Sequence, residues 1–330
     1  MGEFELIRRH FQREGHAAPT PVVLGIGDDC ALLQPRPGHL LAVSTDMLVE
    51  GRHFFAGVDP EALGHKALAV NLSDLAAMGA HPLGFTLALA LPEAQEDWLT
   101  AFARGLFALA DQHACPLVGG DTTRGPLNIC ITVMGEVRPG MAMQRSQAQV
   151  DDDLYLTGRT GEARLALELM RGTDWATSAC GPQSLSLHPE LRQRLERPTP
   201  RVALGALLAA LGSAVHAAID VSDGLVGDLG HILQASGVGA EIALPDLPVA
   251  PALLPLTPAR RLDCILNGGD DYELLFTAAP TARAAVEAAA QASHTPVQRI
   301  GRIGAAPGLR VLDASGHPVV VSTRSFDHFA

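Results

Sequence analysis

The sequence predicts an α/β (α+β) protein of two domains, and three observations carry that expectation. The chain is 330 residues long and 47% apolar, enough for two cores of ordinary size. Short aliphatic runs bounded by turn residues, at 22–26, 40–43, 83–91, 127–137 and 154–157, read as strands, and longer segments with helical spacing lie between them. After Arg138-Pro139-Gly140 the composition shifts through a connector, so the boundary falls near residue 148, dividing the chain into 1–148 and 149–330.

Taken in order, residues 3–14 predict a short amphipathic helix with Phe4, Ile7 and Phe11 on one side. Asp59 is placed to cap a helix that has Pro60 in its first turn and is closed by Gly79. Within it Asn71-Leu72-Ser73-Asp74 sets polar groups among small apolar residues, so Asp74 needs a partner. Residues 93–113 carry Trp98, Phe102, Leu106 and Leu109 at helical spacing, a stripe that belongs to the core. Further helices are expected at 162–170, 201–211, 225–234 and 281–292, and strands at 297–303 and 309–312. The Pro/Ser/Gly-rich stretch 173–189 reads as a mobile loop.

The chemistry is carried by acids placed beside apolar runs. Gly27-Asp28-Asp29 follows the first run and Ser44-Thr45-Asp46 the second, so these acids are expected to gather at one edge of a sheet. Like charges brought together cost energy unless a cation joins them, and magnesium binds through one or two carboxylates plus substrate phosphates. A plain polar turn at 27–29 is an equal reading of that stretch alone. The layout of Ser44-Thr45-Asp46 recurs at Gly119-Gly120-Asp121, at Asp220-Val221-Ser222-Asp223-Gly224 and at Gly268-Gly269-Asp270-Asp271, and these four elements together weigh more than one turn. Residues 70–74 and 219–223 share an apolar-(Asn/Asp)-apolar-Ser-Asp pattern, a hint of duplicated halves.

Composition excludes several classes. A net charge of -12 leaves no basic stripe for wrapping nucleic acid. Lys66 is the only lysine beside 23 arginines, and its Gly-His-Lys-Ala-Leu setting fits neither a P-loop nor the strand lysine of a protein kinase. The five cysteines are widely spaced with no Cys-x-x-Cys pair, which argues against a disulfide framework or structural zinc. The first ten residues lack a signal-peptide core, and no apolar run reaches the roughly 20 residues of a membrane span. A cytoplasmic protein is expected.

Seven ordered motifs together carry a resemblance: Gly-Ile-Gly-Asp-Asp-Cys-Ala-Leu-Leu, Ser-Thr-Asp, Asn-Leu-Ser-Asp-Leu-Ala-Ala-Met-Gly-Ala, Gly-Gly-Asp-Thr-Thr-Arg-Gly-Pro, Asp-Val-Ser-Asp-Gly-Leu, Gly-Gly-Asp-Asp-Tyr-Glu-Leu and Phe-Asp-His-Phe. In these the sequence resembles the thiamine-monophosphate kinases, a branch of the superfamily that includes aminoimidazole ribonucleotide synthetase. The resemblance implies that superfamily's two-domain fold. Its N-domain strands would form a dimer-interface barrel, and its C-domain would be a mixed sheet flanked by helices. The N-terminal domain would bind ATP and magnesium and dimerise, and the C-terminal domain would complete the metal and substrate site.

The implied activity is ATP-dependent phosphorylation of thiamine monophosphate to the diphosphate by a homodimer. By motif position the resemblance implies several magnesium ions, with ligands at Asp29, Ser44, Thr45, Asp46, Asp74, Asp121, Asp220 and Asp223. It implies ATP contacts at Gly120, Asp121, Arg145 and Ser222, and substrate contacts at His53, Asp270 and Phe326. Asp270 stands where the family commonly has glutamate, and Asp271 beside it is the residue placed to compensate.

A phosphate monoester is largely ionised near pH 7, because its second pKa is about 6. Such an acceptor needs no general base, and the acids and hydroxyls fit direct in-line transfer with no covalent intermediate. Two other readings compete. One is a different ATP-using enzyme of the same fold. Against it, residues 1–20 lack the reactive cysteine of selenophosphate synthetases, and the chain does not end on the cysteine of the hydrogenase-maturation dehydratase. The other is a non-catalytic nucleotide-binding dimer, against which the retained acids argue.

Overall fold

In the computed structural model, which describes residues 2–13, 21–181 and 184–321, the chain divides into two compact units. Of the described residues, those up to 75 and 80–139 form one, and 76–79 with those from 140 onward form the other.

In the first unit, helix α1 (Glu3–Leu6) continues into a wider helical turn, Ile7–Phe11, that buries Phe11. Strands β1 (Val22–Leu24) and β2 (Leu32–Leu33) pair antiparallel as a separate two-stranded sheet. Strand β3 (Leu40–Val49), helix α2 (Pro60–Met78), strand β4 (His81–Leu91), helix α3 (Glu96–Gln112) and strands β5 (Leu117–Arg124) and β6 (Asn128–Val137) follow. The main sheet runs β3-β6-β4-β5, with β4 and β5 parallel and the other pairs antiparallel.

The two faces of this sheet differ. Phe85, Leu87, Leu89, Ile129, Ile131 and Val133 are buried with Leu68, Leu72 and Leu75 of α2 and with Phe102 and Leu106 of α3. On β3 the alternation puts Leu41, Val43 and Met47 outward, each more than half exposed. Asp59 accepts the Glu61 N–H at 3.1 Å, the cap expected of it.

In the second unit, strand β7 (Asp153–Thr157) leads to helices α4 (Glu162–Arg171), α5 (Asp174–Cys180), α6 (Ser184–Leu187), α7 (Pro189–Glu196) and α8 (Val202–Ala210). Then come β8 (Val215–Asp220), α9 (Leu225–Ser236), β9 (Gly239–Ala243), α10 (Pro258–Asn267), β10 (Leu274–Ala278), α11 (Arg283–Ala292), β11 (Val297–Gly304), β12 (Gly308–Leu312) and β13 (Pro318–Val319). They form one mixed sheet in the order β13-β12-β9-β11-β7-β10-β8, and Leu154, Leu156, Ile219, Leu225, Leu229, Ile265 and Leu275 share its main core.

Four expectations need correcting. β3 does not stop at residue 43: hydrogen-bonded pairing with β6 carries it to Val49, so Ser44, Thr45 and Asp46 lie inside a strand. Gly119 to Arg124 likewise belongs to β5 rather than to a turn, because β4 pairs with it in parallel register. The stretch 173–189 holds α5 and α6, with the Thr173 carbonyl accepting the Ala176 and Thr177 N–H groups that start α5. The shared pattern at 70–74 and 219–223 marks no common structure, since the first lies within α2 and the second at the end of β8.

Candidate active site

The first unit brings one pair of the expected ligands together. The even positions of β3 face α2, and there the Ser44 hydroxyl donates to Oδ2 of Asp74, the partner a half-buried carboxylate requires. Two residues along, the Asp46 N–H donates to Asn71 Oδ1 at 3.1 Å, and Asn71 Nδ2 donates to the Ala67 carbonyl at 3.0 Å. Asn71 is fully buried, so its polar side chain acts as a fixed brace between α2 and β3.

The other expected ligands of this unit stand elsewhere. Thr45 points to the outward face, where its hydroxyl pairs with Thr132 at 2.8 Å. Asp121 is exposed on that same face, opposite Ala88 on the far edge strand. Asp46 and Asp121 are therefore separated by three strand spacings, roughly 14 Å. Asp28 and Asp29 are exposed in the β1–β2 connection, where the Asp29 N–H donates to Asp28 Oδ1 at 2.9 Å. The expected gathering of Asp28, Asp29 and Asp46 at one sheet edge is corrected, because β1 pairs with β2 and not with the sheet that holds β3.

Gly120 has a φ of +146°, and a Cβ there would lie 1.9 Å from the Leu87 carbonyl oxygen, so only glycine fits. His53 Nδ1 accepts the Val49 N–H at 2.9 Å, which leaves the ring proton of the neutral imidazole on Nε2.

The second unit builds a tighter arrangement at the junction of β8 and β10. Asp220 is the last residue of β8, buried and paired with Leu274, and Ser222, Asp223 and Gly224 turn the chain into α9. Three main-chain bonds join this turn to the 270–273 segment. The Asp270 N–H donates to the Ser222 carbonyl at 2.8 Å, Tyr272 N–H to Val221 at 2.8 Å, and Val221 N–H to Glu273 at 2.7 Å. Asp270 and Tyr272 hold φ values of +66° and +51°, a strained conformation for side-chain-bearing residues. Gly269 makes the approach possible, since a Cβ there would lie 2.4 Å from the Ser222 carbonyl oxygen.

Two buried acids that the sequence reading left without a role hold this turn. Asp228, in α9, accepts the Asp223 and Gly224 N–H groups at 3.0 and 3.2 Å, and burial pushes its carboxyl up to about 7. Its position four residues past Gly224, reaching back over the first helical turn, was the signal available in the sequence. Glu273 accepts from Arg201, from Arg194 and from the Thr157 hydroxyl. Asp271 is also buried, its Oδ2 accepting the Gly161 N–H at 2.8 Å, and burial drives its pKa well upward. Asp271 is thus committed to the core and does not compensate for the shorter Asp270. Arg145 is exposed in a helical turn (Arg145–Gln147), its carbonyl accepting the Ser236 hydroxyl at 2.7 Å. Phe326 lies outside the described residues.

As a cation site the donor set is hard oxygen, carboxylates and hydroxyls, which suits magnesium in kind. The Ser44 and Asp74 contact supplies a hydroxyl and a carboxylate side by side, and magnesium asks only one or two carboxylates of a protein. Among the described residues no group of three or more His, Cys, Asp or Glu stands together as a metal cage.

Two features define the class, a four-stranded sheet with acids and hydroxyls on β3 and α2, and a seven-stranded sheet whose β8 ends in a polar turn. The chain belongs to the AIR synthase related family: residues 27–137 match the model of its N-terminal domain and residues 149–314 that of its C-terminal domain. Within that family it is similar to the thiamine-monophosphate kinases. It is 43% identical to the thiamine-monophosphate kinase of Salmonella typhimurium over 331 residues, covering all of this chain and 98% of the other. The crystal structure of thiamine-monophosphate kinase from Stenotrophomonas maltophilia K279a superposes with a TM-score of 0.80 at 46% identity, covering 96% of each chain. A structure described as AaThiL complexed with AMPPCP and TMP gives a TM-score of 0.72 at 29% identity, covering 89% of each.

Proposed function

We infer that this chain is a thiamine-monophosphate kinase, transferring a phosphoryl group from ATP to the phosphate of thiamine monophosphate. The observation that carries the reading is the 43% identity to a curated kinase of that activity along the entire chain. An AIR-synthetase-type reaction is the runner-up on fold alone, and the relatives reported above do not favour it.

The chemistry asks little acid–base work of the protein. Both reactants are anionic, so the acceptor oxygen is already a nucleophile and the obstacle is repulsion. Magnesium, when bound, supplies the charge neutralisation that lets the two phosphates approach. Ser44, Asp46 and Asp74 would hold it in the first unit, whereas Thr45 lies on the other face of β3, paired with Thr132, and is not part of that group. Asp220 and Asp223 would do so in the second. Asp121 stands three strands from β3 and on the other face of the sheet, which favours more than one ion, with Asp29 as a further ligand. Gly120, whose missing side chain makes room for the Leu87 carbonyl of β4, would meet the nucleotide through its main chain, with Asp121, Arg145 and Ser222 as further contacts. His53, whose Nδ1 accepts the Val49 N–H, would be a substrate contact, with Asp270 and Phe326 as the remaining ones.

The outward apolar face of Leu41, Val43 and Met47 supports a homodimer in which a second copy covers this sheet and completes a barrel. No described helix is long and apolar enough to cross a membrane. A cytoplasmic enzyme fits the cofactor chemistry proposed for it.

The test is direct. Purified protein with ATP, magnesium and thiamine monophosphate should yield thiamine diphosphate and ADP in equal amounts. A folded sample that makes no diphosphate but turns over a formylglycinamidine substrate would move the assignment to the synthetase.

A further inference from the structure

The motif Gly268-Gly269-Asp270-Asp271-Tyr272-Glu273 contributes only Asp270 to the proposed chemistry, yet its most constrained residue is the last. Glu273 is 1% exposed and immediately precedes β10. Its carboxylate collects four donors from three separate elements. Arg201 approaches through Nε at 2.7 Å and a terminal nitrogen at 2.6 Å, Arg194 at 2.9 Å, and the Thr157 hydroxyl at 2.6 Å. Thr157 is also an acceptor, taking the Leu274 N–H at 2.7 Å. The end of β7 and the segments around α7 and α8 are thereby tied to one point on the chain.

That point is where the acids of this unit are set. The Glu273 carbonyl accepts the Val221 N–H, Leu274 pairs with Asp220, and Tyr272 and Asp270 donate back to Val221 and Ser222. Moving Glu273, and with it the start of β10, would therefore shift the Asp220–Asp223 turn and the Asp270 loop against each other. Stability alone does not ask for this design, because apolar residues of like volume often replace a buried ion pair without loss. Four directional bonds to one carboxylate fix position, which packing alone fixes less sharply.

We propose that Glu273, held by Arg201, Arg194 and Thr157, is a positioning residue that sets the Asp220 and Asp223 carboxylates and Asp270 at their working separation. The kinetic part of this inference rests on the kinase reading. The metal-binding part does not.

Three full-length variants test it: Glu273→Gln, which keeps the shape and removes the charge; Thr157→Val, which removes the hydroxyl alone; and Thr157→Ser, which restores it. Manganese affinity, read by electron paramagnetic resonance in the presence of a non-hydrolysable ATP analogue, should weaken about 10- to 100-fold in the first two, the usual effect of losing a residue that orients a ligand. In the kinase assay the same two should raise the magnesium needed for half-maximal rate and the KM for thiamine monophosphate, with a smaller change in the KM for ATP. Thr157→Ser should return both readouts to wild type.

Melting curves establish which samples are folded at the assay temperature. If Glu273→Gln does not fold, Thr157→Val decides. Folded variants with wild-type manganese affinity and wild-type KM values, losing only amplitude, would overturn the proposal and leave Glu273 a structural residue. Wild-type protein that binds no manganese would overturn it as well. Wild-type protein that binds manganese but does not phosphorylate thiamine monophosphate would count against the kinase reading alone.

Discussion

The Ser44 hydroxyl donates its proton to Oδ2 of Asp74, tying the edge strand of the first sheet to helix α2 across thirty residues of sequence. The bond satisfies a half-buried carboxylate and presents two oxygens in one place. Ser44→Ala removes the donor and one candidate ligand. A single hydrogen bond to a charged group contributes about 1.5–3 kcal/mol, so the variant should melt several degrees lower while remaining folded. It should also need more magnesium for half-maximal turnover. An unchanged magnesium dependence, measured at a temperature where both proteins are folded, would confine Ser44 to a structural role.

Asp46 and Asn71 separate the two kinds of role. Asn71 holds the main chain of residue 46, not its carboxylate. Asp46→Asn should therefore abolish turnover and leave the melting temperature in metal-free buffer equal or higher, since one negative charge is gone. Asn71→Leu, of similar volume, should do the reverse. It strands the half-buried Asp46 N–H at a cost of about 1 kcal/mol or more, visible in urea denaturation, and lowers activity only as the strand shifts. A large metal-free destabilisation by Asp46→Asn would reassign that side chain to the fold.

These two cases show what could be read in advance. Helix α2 was legible because Asp59, Pro60 and Gly79 are local signals, and their chemistry does not depend on the rest of the chain. β3 was legible only to residue 43. Beyond that point Ser44, Thr45 and Asp46 look like a turn, and only pairing with β6, ninety residues away, makes them strand. The same non-local pairing hid β5 inside Gly119-Gly120-Asp121. Motif order singled out a set of acids as candidates, while faces and edges stayed out of reach, so the three strand spacings between Asp46 and Asp121 were invisible. Asp228 and Glu273 were passed over because a buried acid is recognised by its donors, and Arg201 and Thr157 lie far from Glu273 in sequence.

The outward face of β3 gives a prediction about assembly. Val43 is 57% exposed beside Leu41 and Met47, and it stands opposite Met134 on β6. Val43→Glu places a charge in the middle of that patch without touching the side of the strand that faces α2. If a second copy covers the sheet, sedimentation should show a dimer for the wild type and a monomer for the variant, with both folded. A wild type that sediments as a monomer at micromolar concentration would remove the barrel from the proposal.

Asp153 provides the pH dependence. Its buried carboxylate accepts from Arg283 at 2.6 and 2.9 Å and from Arg299 at 3.3 Å. Burial alone would raise its pKa, but the hydrogen bonds and charges of the two arginines hold it below the usual 3.8. A carboxyl lowered in the folded state adds stability that is fully present above the unfolded value, near 3.9, and is lost as pH falls through the folded one. The stability difference between wild type and Asp153→Asn, from urea melts, should thus be constant between about pH 5 and 8 and shrink below about pH 4. A difference that stays flat to pH 3 would mean that packing, and not the ionised carboxylate, is what the substitution removes.

Gly120 combines both kinds of constraint in one residue. Its φ of +146° is closed to side-chain-bearing residues, and a Cβ would meet the Leu87 carbonyl oxygen at 1.9 Å, backbone against backbone in the parallel β4–β5 pair. No side-chain rotation relieves that clash, so Gly120→Ala must open the β4–β5 ladder or flip the peptide next to Asp121. Substitutions that force a strained backbone exceed the usual 0.4–1 kcal/mol scale of glycine-to-alanine changes, so a loss above about 2 kcal/mol is expected. Gly119, by contrast, meets only the methyl of Thr86 at 3.9 Å, so Gly119→Ala in the same strand is the internal control and should be nearly neutral for stability. Hydrogen exchange of the β5 amides would locate the damage: loss of protection from Gly120 to Thr122 in the first variant and none in the second. Equal melting temperatures for the two variants would refute the close approach of β4 and β5 at this point.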